Sequence, residues 1–144
     1  SVGDEEGKSP TKTMINNYTK LGILPPSEKK KYSREHLLLL ILMWRMKPVM
    51  NISDIGIFTS KLLRELPEEE DQKNFYNAFL EMEREMRTSL YAEIERQFEQ
   101  VKKDLGQHDE NAALMYALLL ADHAAEEKRL AELILAELSK SSPK

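Results

Sequence analysis

Across residues 75–105, large apolar side chains recur at spacings of three and four without a break: Phe75, Phe79, Met82, Met86, Leu90, Ile94, Phe98, Val101 and Leu105. An α-helix returns to the same face about every 3.6 residues, so the pattern is one stripe, a seam about 45 Å long at about 1.5 Å per residue. Pro67 and the acids Glu68, Glu69, Glu70 and Asp71 stand where such a helix begins. Proline fits a first turn, and carboxylates there complement the positive end of the helix dipole. Gly106 to Asp109 reads as a turn, and a second long helix follows over residues 110–139. It is apolar all round over residues 112–121, then amphipathic through Leu130, Leu133, Ile134 and Leu138. So short a connection makes the two helices antiparallel neighbours, a hairpin over residues 67–144 that ends in a polar, frayed tail. The fold class this dictates is all-α.

A chain of 144 residues can bury a real core in one domain, or in a small head with a helical appendage. Its 41% hydrophobic and 32% charged side chains are those of a helix-rich globular protein. The one longish apolar run, residues 37–44, is too short to span a bilayer, and neither a membrane span nor a secretory signal is expected. With no cysteine there is no disulfide framework and no thiolate site, which fits a reducing, cytoplasmic setting.

The N-terminal half divides at its prolines and glycines. Residues 1–8 hold too little apolar surface to order themselves and read as a flexible lead-in. Ser9 and Pro10 start a short helix and Gly22 stops it. Met14, Ile15, Tyr18 and Leu21 make its core face, while Thr13, Asn16, Asn17 and Lys20 form a stripe on the other side. Pro25 and Pro26 end helical structure, and two extended pieces around a Pro-Ser-Glu-Lys turn fit a small β wing. Ser33 then caps a helix over residues 34–47, nearly continuous in Leu, Ile, Met and Trp, which should centre the core. Asn51 caps the next, with Asp54 completing a variant capping box and Ile52, Ile55, Phe58, Leu62 and Leu63 buried. The division expected is a lead-in (1–8), a head (9–66) and a C-terminal helical hairpin (67–144).

Charge is distributed unevenly between these parts. Residues 11–48 carry eight basic and two acidic side chains, a net of +6, whereas residues 49–144 carry 12 basic and 20 acidic, a net of −8. A basic head on an acidic body is the arrangement expected when one part meets a polyanion.

The order Thr13-Met14-Ile15-Asn16-Asn17-Tyr18, Leu21-Gly22-Ile23-Leu24-Pro25, Lys31-Tyr32-Ser33 and Asn51-Ile52-Ser53-Asp54-Ile55 resembles the winged helix-turn-helix head of the MerR regulators. The whole chain more closely resembles a bacterial family of unknown function, DUF1836, on its Thr-Lys-Thr-Met-Ile-Asn-Asn-Tyr and Pro-Pro-x-x-Lys-Lys-Lys-Tyr-Ser-x-Glu-His stretches. The MerR resemblance implies a DNA-binding transcription regulator whose first helix lies in a major groove. Asn16 and Asn17 would pair with adenine edges, Thr13 would meet a thymine methyl, and Lys12 and Lys20 would meet phosphates. Lys29, Lys30 and Lys31 on the wing, with Arg34 beyond it, would hold the backbone. Relatives of that kind place an arginine and an aromatic where this chain has Asn16 and Asn17. The motif also calls for a helix before the recognition helix; residues 1–10 are too polar to form it, so either it lies upstream of Ser1 or the motif is incomplete.

Catalysis is not expected, because no glycine-rich phosphate loop, nucleophile elbow or Ser/His/Asp set is present. His123, Glu126 and Glu127 have the spacing of half a di-iron site, but the other half is missing, so no metal or cofactor is expected. Met82, Met86 and Met115 with the aromatics of the hairpin suit core or dimer packing, and could also line an effector pocket; without cysteine, any effector is organic or a partner protein. The expected partners are double-stranded DNA and a second copy joined through the C-terminal helices. The alternative is a protein-interaction or structural module that keeps the fold without reading DNA.

Overall fold

The structure is a computed structural model that describes residues 12–29 and 32–141. Five helices follow one another: α1 (Lys12–Lys20), α2 (Arg34–Met46), α3 (Ile52–Glu65), α4 (Glu69–Asp104) and α5 (Asp109–Lys140). The lead-in, the Ser9–Pro10 helix start and the last three residues of the tail lie outside the described residues. The described residues fall into two compact units, one of those up to 73 together with 132–141, the other Asn74–Ala131, and both long helices have residues in each.

In the first unit the local signals act as the sequence dictates. Gly22 takes the left-handed conformation (φ 72°), and the chain closes α1 with Ile23 N–H on the Tyr18 carbonyl (3.0 Å) and Gly22 N–H on that of Thr19 (3.1 Å), a Schellman cap. Ser33 caps α2 through a reciprocal box with His36, and the Asn51 side chain accepts from the Asp54 N–H at 2.8 Å to cap α3. The core gathers Leu24, Leu39, Met43, Ile55 and Thr59, with Tyr18, Ile23, Leu42, Leu62 and Leu135 around them. Thr59 is tolerated there because its hydroxyl donates to the Gly56 carbonyl at 3.2 Å.

Several expectations need correction. The small β wing is absent: among the described residues there is no strand, only an isolated bridge at Glu28. Pro25 and Pro26 have no N–H to give a ladder, and their carbonyls are taken by the His36 Nε2 (2.8 and 3.1 Å) instead of by a second strand. His36 is itself buried. Leu21, assigned to the core face of α1, is 62% exposed; the Gly22 turn swings the chain so that Ile23 and Leu24 fill the core instead. The burial of α2 is one-sided, since Leu37 and Ile41 face solvent; on α3, Ile52 is exposed as well.

The first turn of α4 is tied to that of α2. The buried Gln72 side chain donates to Glu35 Oε1 (3.1 Å) and to the Leu66 carbonyl (2.8 Å), and Arg34 Nη1 meets Glu69 Oε1 at 2.8 Å. Buried amides demand such partners, so Gln72 fixes where α4 leaves the head.

The second unit is organised around the turn after α4. Gly106 takes the left-handed conformation (φ 78°) after α4, and Gln107 N–H returns to the Lys102 carbonyl at 2.6 Å. Ala112 and Tyr116 are buried, the Tyr116 hydroxyl donates to Gln97 Oε1 at 2.7 Å, and its ring meets Phe98 edge-on with centroids 6.3 Å apart. Lys102 pairs with Asp109 at 3.0 Å, and this hydrogen bond holds the ammonium above its ordinary range. Farther from the turn, Met82, Met86 and Leu90 of the α4 seam stand open to solvent, Met86 at 70% exposure; Tyr91 beside them and Leu114 and Leu118 of α5 are exposed as well, Leu114 at 71%.

Candidate nucleic-acid interface

The short α1 is amphipathic in fact as well as in pattern. Tyr18 is its anchor, buried among the core residues, and burial pushes its phenol above the usual tyrosine range. Met14 and Ile15 flank it, half-buried. Lys12, Thr13, Asn16, Asn17 and Lys20 are all exposed on the remainder of the helix, so the polar stripe lies open along its whole length. Thr19, between the two sides, satisfies its hydroxyl on the Ile15 carbonyl at 2.8 Å.

The residues expected to hold a nucleic-acid backbone are placed less uniformly. Lys29 is exposed and adopts φ 49°, the left-handed region that a non-glycine residue seldom enters. Lys30 and Lys31 lie outside the described residues. Arg34 is not a free cation but the partner of Glu69. That pair is solvent-exposed on both sides, and an ion pair of this kind contributes about 0–1 kcal/mol, so a phosphate could displace the carboxylate at little cost.

One cation missed in the sequence joins this surface. Lys47 Nζ approaches Met14 Sδ at 3.7 Å and sits 5.3 Å from the centre of the Trp44 ring, which sets its charge beside α1 although 33 residues separate it from Met14. The signal available was the charge count of residues 11–48, which includes Lys47, but charge counts carry no direction.

Of the half metal site, Glu126 is held by Arg129 at 2.5 Å, which lowers its carboxyl below the ordinary range. Among the described residues no three His, Cys, Asp or Glu side chains gather to hold an ion. No helix among them is long and apolar enough to cross a membrane.

Comparison with known proteins finds no matching curated protein and no matching solved structure. A family model does match, over residues 1–79, which takes in α1, α2, α3 and the first turns of α4. That is more than half of the 144 residues, and the chain therefore belongs to the family described as Domain of unknown function (DUF1836).

Proposed function

We propose that this chain is a DNA-binding transcription regulator of MerR-like type, in which α1 reads a major groove and two copies are joined through α4 and α5. The observation that carries the reading is the division of α1: its Tyr18 side is built into the core, and its Asn/Thr/Lys side is left in water beside additional positive charge. Asparagine carries a donor and an acceptor on one planar group and can meet the N6 and N7 edge of adenine with two hydrogen bonds. Lys12, Lys20, Lys29, Lys47 and a released Arg34 surround it with groups that contact phosphate without regard to sequence. The backbone-holding role assigned to the wing passes, in this reading, to the irregular segment ahead of α2. A cytoplasmic setting goes with it.

The test is fluorescence anisotropy with randomised duplex DNA followed by selection of a preferred site. Each phosphate contact contributes a slope of about −0.9 in log K against log salt, so five such cations should give a fall of about −4 to −5. The Asn16→Ala, Asn17→Ala double variant should keep that slope and lose sequence preference. A flat salt response, or no binding at low salt, would sink the proposal.

A second reading is favoured by the open apolar side chains of α4 and α5: a protein-interaction module that has kept the head without groove reading. Under it, the Asn16/Asn17 variant is indifferent for DNA, and what changes partner binding is substitution at Met86 or Leu118.

A further inference from the structure

A cleft of about 340 Å³ opens in the first unit, between the turn that ends α1 and the exposed side of α3. Its walls have distinct chemistry. Leu21 and Ile23 come from the turn after α1 and Ile57 from α3, while Lys61 and Arg64, one helical turn apart on α3, supply two positive charges. Ser53 and Ser60 add hydroxyls, and Ser139 of α5 reaches the rim. The space exists because α3 carries Ser53, Gly56 and Ser60 along this side: Gly56 has no side chain, and a Cβ there would already touch Ile23 Cγ1 at 3.5 Å.

Two features of this cleft bear on what it can hold. No acidic side chain lines it, and among the described residues neither Lys61 nor Arg64 meets a carboxylate, although acids outnumber bases over residues 49–144. Leu21, which the Gly22 turn leaves 62% exposed, is one of the apolar side chains that line it. A lining that combines apolar side chains, two cations and hydroxyls is complementary to a small molecule with a short apolar body and an anionic head. The volume falls in the range of small-ligand pockets, about 300–1,000 Å³.

We infer that this cleft binds a small organic carboxylate, its head held by Lys61 and Arg64 and its body resting on Leu21, Ile23 and Ile57. The site shares the Leu21-Gly22-Ile23 turn with α1, so an occupant presses on the segment that sets the pitch of the Asn-bearing helix. That consequence rests on the DNA-binding reading; the binding itself does not, and it is measured without DNA.

The probes are benzoate and hexanoate, titrated into the ¹⁵N-labelled full chain and followed by amide shifts, with benzamide and inorganic phosphate as comparisons. Saturable shifts are expected at residues 21–23, 53–64 and around Ser139, with Kd of about 1 mM or tighter. Benzamide, which has the shape without the charge, should bind about tenfold more weakly, and so should benzoate to the Lys61→Gln, Arg64→Gln variant. Both substituted residues are at the surface, and an unchanged circular dichroism spectrum and melting curve would show the variant folded. A Ser60→Phe change, which fills the cleft and leaves both charges, should abolish the shifts. The inference is overturned by shifts that do not saturate or lie elsewhere, by benzamide equal to benzoate, or by inorganic phosphate binding as tightly as either acid. It is equally overturned if the Lys61→Gln, Arg64→Gln variant keeps benzoate binding and loses only DNA affinity, for then these cations serve a duplex.

Discussion

Replacing His36 by alanine tests how the head holds its irregular segment. The ring is buried and joined at both nitrogens: Nδ1 lies 3.2 Å from the Ser33 N–H and 2.7 Å from its hydroxyl, and Nε2 lies 2.8 and 3.1 Å from the Pro25 and Pro26 carbonyls. Two carbonyls can only accept, so Nε2 carries the hydrogen and Nδ1 accepts from Ser33. The neutral imidazole is thereby satisfied on every side. The substitution removes half of a capping box, worth about 1 kcal/mol. It also removes the hydrogen bonding to two prolyl carbonyls, about 1 kcal/mol, and the edge contact with the Tyr32 ring at 5.6 Å, about 0.5–1 kcal/mol. The expected loss is about 3 kcal/mol, read as a fall in the urea midpoint with an unchanged slope at fixed protein concentration. Ser33→Ala, which leaves the proline contacts intact, should cost only about 1 kcal/mol. A His36→Ala loss no greater than that of Ser33→Ala would refute the reasoning, as would long-range ¹H–¹⁵N correlations that put the hydrogen on Nδ1.

Gly22→Ala should lower stability by about 1 kcal/mol through backbone strain alone, since φ is 72° and nothing lies within 4 Å of the added methyl; thermal melting measures it, and an unchanged melting temperature would mean the turn relaxes. Met86→Glu with Leu118→Glu should convert the proposed dimer to a monomer in light scattering while helicity is retained, and a wild-type chain that is already monomeric at high concentration would remove the dimer itself. For Tyr18 the sign is fixed by its raised pKa: the folded state holds the phenolic proton more tightly than the unfolded chain does. Its contribution is therefore complete below the ordinary tyrosine value of about 10 and is lost as pH climbs through the raised one. Phenolate absorbance compared with Tyr18→Phe should show that tyrosine ionising last or together with unfolding.

What the sequence disclosed was local, and what it concealed depended on partners far along the chain. The caps at Ser33 and Asn51 were legible because a capping side chain reaches only three residues ahead. The exposed stripe of α1 was legible for the same reason, being a question of spacing on one short helix. The β wing failed because Pro25 and Pro26 look like the ends of an extended hairpin until their carbonyls are seen to be occupied by His36, about ten residues on. That Arg34 is paired could not be read, because its partner, Glu69, stands 35 residues away on another helix. The cleft could not be read at all, since residues 21–23, 53–64 and 139 share no motif and meet only in the folded head.

The seam of α4 marks the limit of periodicity as evidence. Spacing of three and four established which side of the helix is apolar, and the structure agrees that Ile94, Phe98 and Val101 lie at least half-covered near the turn. Spacing says nothing about what does the covering. At Met82, Met86 and Leu90 the same pattern continues and the side chains are open, as are Leu114 and Leu118 on α5. Full burial of one such side chain is worth about 1.5–3 kcal/mol, so leaving five of them largely in water forgoes several kcal/mol that a folded domain could otherwise gain. A surface helix that needed only solubility would have polar residues at these positions, as its flanking Glu81, Arg84 and Glu85 show this one can. The continuity of the seam from covered to uncovered residues is thus better accounted for by a further apolar surface meeting it than by the helix alone. In the regulator reading that surface belongs to a second copy, which would bring a second groove-reading helix to the same operator and make two weak heads act as one.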